Sequence, residues 1–129
     1  MIIGIDIYHK KIKKSSCVGI VASMNQDINK FYSRVILVPQ GKQLVTELGF
    51  VFKDAISTYF KQNKNLPTDI LIYRDGISES QTKRLFYTEV SNLIDTFPKI
   101  HKDYSPKLAY ILVNKRVNHK FFTRDKENN

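Results

Sequence analysis

The sequence is poor in cysteine and in long apolar runs, and each shortage excludes a class of protein. Cys17 is the single cysteine, so no internal disulfide can form, as is typical of a reducing compartment. The longest apolar run, near Leu108–Val113, is far shorter than the roughly 20 residues of a membrane-spanning helix. The first residues, Met1–Asp6, lack the basic segment of a signal peptide. We therefore expect a soluble cytoplasmic or nuclear protein without a membrane partner.

Acidic residues are scarce relative to basic ones. Aspartate and glutamate number 12 against 21 lysines and arginines, which gives a formal net charge of +9 and a pI near 9.7. Such a balance favours a polyanionic partner, most often nucleic acid. The alternative is that the charge only keeps the protein in solution. Nothing in the sequence resembles a zinc cluster, a nucleophile elbow or a phosphate-binding glycine loop.

Hydrophobic spacing predicts one domain with alternating secondary structure. A chain of 129 residues that is 42% hydrophobic can bury a single core. Short apolar and β-rich runs predict five strands, at Ile2–Ile7, Cys17–Met24, Phe31–Val38, Ile70–Tyr73 and Leu108–Val113. His9–Ser16 is polar and basic, which predicts a loop.

Two segments have helical spacing instead. Gln43–Phe60 places apolar residues on one face. A second helix would follow the capping box Ser78–Gln81, with its end marked by Pro98 and its apolar face formed by Phe86, Val90, Leu93 and Phe97. The order is therefore β-β-β-α-β-α-β. Because crossovers are right-handed, the fourth and fifth strands should lie parallel to the first. These patterns predict an α/β fold with a mixed five-stranded sheet and flanking helices, the order of a ribonuclease H-like fold.

Two aspartates fall late in neighbouring strands of this predicted sheet. Asp6 lies near the end of the first strand, and Asp75 follows the fourth. Parallel neighbours would bring both carboxylates to the same edge, where open α/β sheets bind ligands. Mg²⁺ prefers one or two carboxylates together with substrate phosphate. The competing interpretation is structural: Asp75 is a turn residue before Gly76, Asp6 is a strand-end residue, and Arg74 forms a salt bridge with either acid.

Four segments in order resemble the PIWI domain of Argonaute and Piwi proteins. IYRDGISESQ, residues 72–81, is similar to the family's YRDGVS(D/E)GQ signature. IIGIDIYH at residues 2–9, VGIVASMNQDINKFYSRV at 18–35 and KLAYILVNKRVNHKFF at 107–122 resemble further segments of that domain, the first two in the style of the Piwi branch. The resemblance covers nearly the whole chain and implies a ribonuclease H-like fold.

The resemblance also implies a chemistry. Family members hold a small guide RNA, find complementary target RNA, and in active members cut it with an Asp-Glu-Asp-His (or Asp) set and two Mg²⁺ ions, or Mn²⁺ in their place. Asp6 matches the first aspartate and Asp75 the second, and the resemblance implies that both are catalytic residues and metal ligands. Gln43 stands at the glutamate position, counted back from Pro67. Glutamine accepts a hydrogen bond but carries no charge.

Two further features follow from the resemblance. The family's last catalytic residue would fall beyond Asn129, and the PAZ and MID lobes are absent, so we expect residues 1–129 to be a partial PIWI domain that lacks the remainder of the Argonaute chain. Lys115, Arg116 and Lys120 match basic residues that approach the guide backbone. A solvated basic tail is the alternative for these three.

Three functions follow, in order of preference. The first is guide-RNA and target-RNA binding in RNA silencing, with Gln43 favouring binding over cleavage and the chain inactive as a nuclease by itself. The second is a guide-independent ribonuclease H-like nuclease. The third is a non-enzymatic interaction fragment.

Overall fold

A mixed sheet organises the fold in the computed structural model, which describes residues 1–10, 15–39, 44–75, 83, 86–115, 120 and 122. Its strands are β1 (Ile2–Lys10), β2 (Ser15–Ser23), β3 (Phe31–Val38), β4 (Asp69–Asp75) and β5 (Lys107–Val113). They lie side by side in the order β3-β2-β1-β4-β5. β1, β2 and β3 pair antiparallel, whereas β4 runs parallel to β1 and β5 runs parallel to β4. The predicted α/β fold with a mixed five-stranded sheet is confirmed.

The first hairpin is longer than the sequence predicted. Lys10 pairs with Ser15, so both strands extend into the segment that was expected to be a loop. Backbone hydrogen bonds between antiparallel strands do not require apolar side chains, so the polar residues of this segment continue the ladder. The prediction of a loop over His9–Ser16 is therefore wrong at both ends.

One long helix, α1 (Leu44–Asn63), packs on the sheet. It ends three residues later than predicted, at Asn63, whose side-chain amide donates to the carbonyl oxygens of Tyr59 and Met24, each at 2.9 Å. The next residue, Lys64, has a φ of 60° and donates its backbone N–H to Phe60. This left-handed residue is a common way to end a helix.

The predicted second helix is divided. The chain forms a π-helical turn at Phe86–Val90, then α2 (Ser91–Ile94) and α3 (Phe97–Ile100). Pro98 lies in the first turn of α3, not at the end of a helix, so that prediction is wrong. Proline is tolerated there because the first N–H groups of a helix have no intrahelical partner. The predicted capping box, Ser78–Gln81, lies outside the described residues.

The two faces of the sheet differ. We call the face that packs against α1 the inner face and the opposite one the outer face. The inner face holds the core, which includes Ile3, Ile5, Val18, Ile20 and Ile72, with Leu48, Val51, Phe52 and Ile56 from α1. Successive residues of a strand point to opposite faces of the sheet, so the residues next to these core residues in each strand lie on the outer face. Several apolar side chains are exposed there, including Val21, Phe31, Val35, Leu37 and Ile111.

Candidate functional site

The strand register brings the two predicted aspartates to the same edge of the sheet. Ile5 of β1 lies opposite Arg74 of β4 in a parallel pair, and the next residue of each strand is Asp6 or Asp75. On their other sides, Asp6 lies opposite Gly19 of β2 and Asp75 opposite Val113 of β5. Because Ile5 and Arg74 are buried on the inner face, both aspartates belong to the outer face. The juxtaposition expected from right-handed crossovers is observed.

A groove of about 370 Å³ on the outer face contains both acids. It is lined by Gly4, Ile5, Asp6, Gly19, Val21, Tyr73, Asp75, Val113 and Lys115. A β-carbon built on Gly4 or Gly19 would meet no heavy atom within 4 Å. The glycines therefore leave open space above the backbone beside Asp6, where a ligand can approach the carboxylate.

A lysine shares this groove with the acids. The Lys115 ammonium forms an ion pair with the carboxylate of Asp75, whose side chain is 20% exposed. The hydrogen bond and the charge of Asp75 raise the pKa of Lys115, and the charge of Asp6 adds to the effect. The groove thus holds one cationic side chain that forms an ion pair with Asp75 and also experiences the charge of Asp6. With its own side chain 68% exposed, Lys115 also stays open to solvent.

Arg74 does not form the salt bridge that the structural interpretation offered. Its guanidinium pairs with Glu89, with Nε–Oε2 at 3.3 Å and Nη2–Oε1 at 3.5 Å. Nη1 donates to the main-chain carbonyl of Asp75, not to a carboxylate. The Tyr110 hydroxyl completes the group by donating to Glu89 Oε2 at 2.9 Å.

Glu89 and Tyr110 are residues that sequence reasoning missed. A signal for Glu89 was present, since it lies three residues after Phe86 and four before Leu93, on the apolar face of the predicted helix. An acid at such a position needs a buried partner. Burial, together with the charge and hydrogen bond of Glu89, raises the pKa of Tyr110 above its ordinary range.

The remaining predicted site residues are distributed as follows. Lys120 is exposed. Gln43 and Arg116 lie outside the described residues, as does Gly76. Their predicted roles, and those of Asp6, Asp75, Lys115 and Lys120, stay predictions.

The donor set of the groove suits a hard divalent cation. Within the described ranges there is no cluster of three or more histidine, cysteine, aspartate or glutamate side chains, so Asp6 and Asp75 are the two acids at hand. Mg²⁺ is commonly held by one or two carboxylates and takes its other ligands from water and substrate phosphate. Asp6 and Asp75 supply two carboxylates beside the open space over Gly4 and Gly19, and a cation bound by Asp75 would take the place of the Lys115 ammonium. In the part of the chain that the structure describes, no helix is long and apolar enough to cross a membrane.

Sequence comparison identifies relatives of this chain. A family model described as "Piwi domain" matches residues 1–129. "Piwi-like protein 1" of Gallus gallus is 38% identical over 125 residues, which cover 96% of this chain and 14% of that protein. "Piwi-like protein Ago3" of Bombyx mori is 36% identical, with 98% of this chain and 14% of that protein covered. The chain thus spans about one seventh of the length of these curated relatives.

Solved structures show the same fold. The MID-PIWI domains of the N. crassa protein QDE-2 AGO superpose with a TM-score of 0.74 at 22% identity, covering 86% of this chain and 34% of that one. Kluyveromyces polysporus Argonaute, whose structure was determined with a guide RNA, gives a TM-score of 0.72 at 24% identity, covering 90% of this chain and 15% of that one. The sheet described above is therefore the ribonuclease H-like fold of Argonaute PIWI domains.

Proposed function

The chain belongs to the Piwi domain family, and we propose that it serves small-guide-RNA binding and RNA silencing, with a two-metal RNA endonuclease site that is incomplete within these residues. The observation that supports this best is the groove that contains Asp6, Asp75 and Lys115 together. A family-typical fold alone hosts many functions, whereas the residues of the groove have a specific chemistry.

The acids of the groove would hold Mg²⁺ or Mn²⁺. When bound, such an ion acts as a Lewis acid at a phosphodiester and lowers the pKa of water. Asp6 and Asp75 would hold the ion through their carboxylates, and the open space over Gly4 and Gly19 would leave room for an RNA backbone beside it. Gln43, in the position of the family's glutamate, adds no negative charge. We therefore assign binding, and not efficient cleavage, to this chain.

The basic residues supply the affinity for RNA. Lys115 lies in the groove and Lys120 is exposed, and with Arg116 they are proposed to contact the guide backbone. Each cation that neutralises a phosphate releases counterions, so affinity falls as salt rises. Such contacts do not depend on sequence, which suits a protein that leaves target recognition to base pairing.

The exposed apolar side chains of the outer face are proposed to meet the remainder of an Argonaute-type chain. Val35 is 69% and Leu37 is 74% exposed on β3, at one edge of the sheet. Exposed contiguous apolar surface commonly marks an interaction site. Curated relatives are about seven times as long as this chain, so their other segments are the natural partners for this face. We propose a location in the cytoplasm or nucleus, where target RNA is found.

Cleavage tests the proposal most directly. The protein, as its gene expresses it, is loaded with a synthetic guide RNA and offered a labelled complementary RNA with Mg²⁺. We expect tight guided binding with cleavage near background, and a rise in cleavage on Gln43→Glu, because the added carboxylate restores the missing charge. Gln43→Ala is the matched control. Cleavage at an ordinary rate with Gln43 in place would contradict the assignment to binding.

Two other outcomes would redirect the proposal. Cleavage of an RNA–DNA hybrid without a guide, abolished by Asp6→Ala, would identify a guide-independent nuclease. Protein capture that needs no RNA and is unchanged by salt or by Asp75→Ala would identify an interaction fragment.

The salt dependence of guide binding tests the basic residues separately. Lys115→Met should lower the slope of log affinity against log salt by about 1, since one phosphate contact is lost. Lys53→Met, which removes an exposed lysine from α1, should leave the slope unchanged. Equal slopes for both variants would argue for the solvated tail. The measurement is fluorescence anisotropy of a labelled guide over a salt series.

A further inference from the structure

A buried charged group lies directly behind the groove. Arg74 and Glu89 form an ion pair whose side chains are only 5% and 10% exposed. The Tyr110 hydroxyl donates to the same carboxylate at 2.9 Å. The three residues come from β4, the π-helical turn and β5, so the group connects three elements at the carboxyl end of β4.

This group contacts the backbone of a proposed metal ligand. Arg74 donates from Nη1 to the carbonyl oxygen of Asp75, while Nε and Nη2 face Glu89. The guanidinium therefore spans from Glu89 to the peptide that carries Asp75. The planar guanidinium is always charged and has several N–H donors, so it can contact both groups at once, whereas a lysine ammonium cannot reproduce this arrangement. Arg74 acts from the inner face, and the Asp75 carboxylate emerges on the outer face.

Stability alone is a poor reason for such a group. A buried ion pair commonly contributes no more than well-packed apolar residues of similar volume, because removing both charges from water is costly. The amino end of β4 illustrates a simpler solution. There the Tyr104 hydroxyl donates at 2.8 Å to the carbonyl of Pro67, just before the strand, and the charged N-terminus of Met1 donates to the carbonyl of Asp69 in an exposed contact, so no charge is buried.

We propose that Arg74, held by Glu89 and Tyr110, is a positioning residue that fixes the end of β4 so that the Asp75 carboxylate faces Asp6 across the groove. The inference rests on the proposed metal site of Asp6 and Asp75. Residues that orient metal ligands through hydrogen bonds change metal affinity by roughly 10- to 100-fold when they are replaced. The group should therefore control the affinity for a divalent cation without touching the cation.

Binding of Mn²⁺ alone, followed by electron paramagnetic resonance of the free ion, measures this effect without RNA or turnover. Glu89→Gln keeps the shape of the side chain but removes the charge that holds Arg74, and we expect Mn²⁺ affinity to fall about tenfold. Tyr110→Phe removes one hydrogen bond to Glu89 and should have a smaller effect in the same direction. Arg74→Lys should not preserve the wild-type affinity, because one ammonium cannot contact both partners.

A matched control is available in the same strand system. Tyr104→Phe removes a tyrosine hydroxyl that also anchors β4, but at its opposite end. It should leave Mn²⁺ affinity unchanged, whereas Tyr110→Phe should weaken it. Equal affinities for wild type, Glu89→Gln and Tyr110→Phe would overturn the positioning role. If Glu89→Gln does not fold, as judged by circular dichroism, the pair of tyrosine variants decides the matter.

Failure of the metal site itself gives a different result. If wild-type protein binds no Mn²⁺, or if Asp75→Asn binds as tightly as wild type, the proposed site is wrong and the positioning role falls with it. If Asp75→Asn abolishes binding while Glu89→Gln and Tyr110→Phe do not weaken it, only the positioning role is wrong.

Discussion

The inner and outer faces of the sheet have different roles, although residues of the two faces alternate along the same strands. Ile5 and Arg74 point inward and are buried, while the residues that follow them, Asp6 and Asp75, line the outer groove. The inner face packs against α1 and supplies the apolar core. Since stability comes mainly from apolar burial, the outer face is free to hold charge. Arg74 is the exception, because it brings charge into the inner face directly behind the groove.

Substitution of Arg74 should have the largest effect on the free energy of unfolding. Arg74→Met leaves Glu89 buried without its partner, and such a loss typically costs about 3–5 kcal/mol. Arg34→Met, which breaks the exposed pair with Asp54, should cost little because both side chains stay in solvent. Urea denaturation of the two variants measures the difference. Similar losses would mean that the Arg74 pair is not effectively buried.

Truncation of an apolar side chain should also change the free energy of unfolding far more on the inner face than on the outer face. Ile20 is 1% exposed on the inner face of β2, and Ile20→Ala should lower the free energy of unfolding by about 2–5 kcal/mol through lost burial and a new cavity. Leu37→Ala, on the outer face of β3, should cost within about 0.5 kcal/mol in residues 1–129 by themselves, where this side chain is exposed. A large loss for Leu37→Ala would show that the outer face is covered in the protein as it was purified.

A substitution at the glycine opposite Asp6 should have the smallest effect on stability but a clear effect on Mn²⁺ binding. Gly19→Val adds a side chain into open space beside Asp6, and valine suits a strand, so stability should change by less than about 0.5 kcal/mol. The added side chain occupies the groove, so Mn²⁺ affinity should fall several-fold. Ser33→Val, on the outer face of β3, is the control. Unchanged Mn²⁺ binding in Gly19→Val would place the cation elsewhere.

Local sequence patterns predicted where the elements lie, because the spacing of apolar residues along the chain marks the segments that are buried. The apolar runs located all five strands, and helical spacing located α1. Predictions failed at the ends of elements, where residue type does not decide whether the backbone pattern continues. β1 and β2 extend to Lys10 and Ser15, whose polar side chains give no apolar signal although their backbones pair. The predicted second helix is interrupted between α2 and α3, and this interruption places Pro98 in the first turn of α3.

The two aspartates and the buried charged group behind the groove also differ in how far the sequence predicted them. Asp6 and Asp75 were expected together because right-handed crossovers impose parallel neighbours, a rule that needs only the order of elements. The position of Glu89 on an apolar face indicated that it needs a partner, but the sequence did not show that this partner is Arg74, because the two residues belong to different elements and meet only in the folded chain.

The sequence by itself determined the order of elements, the excess of positive charge and the two aspartates at strand ends, since periodicity, composition and handed connections are local or general properties. Only the tertiary structure decided that Lys115 pairs with Asp75, that glycines form an open floor beside Asp6, and that Arg74 turns to Glu89. These features depend on strand register and on the face of the sheet that each residue occupies, and both are decided by how distant segments pair.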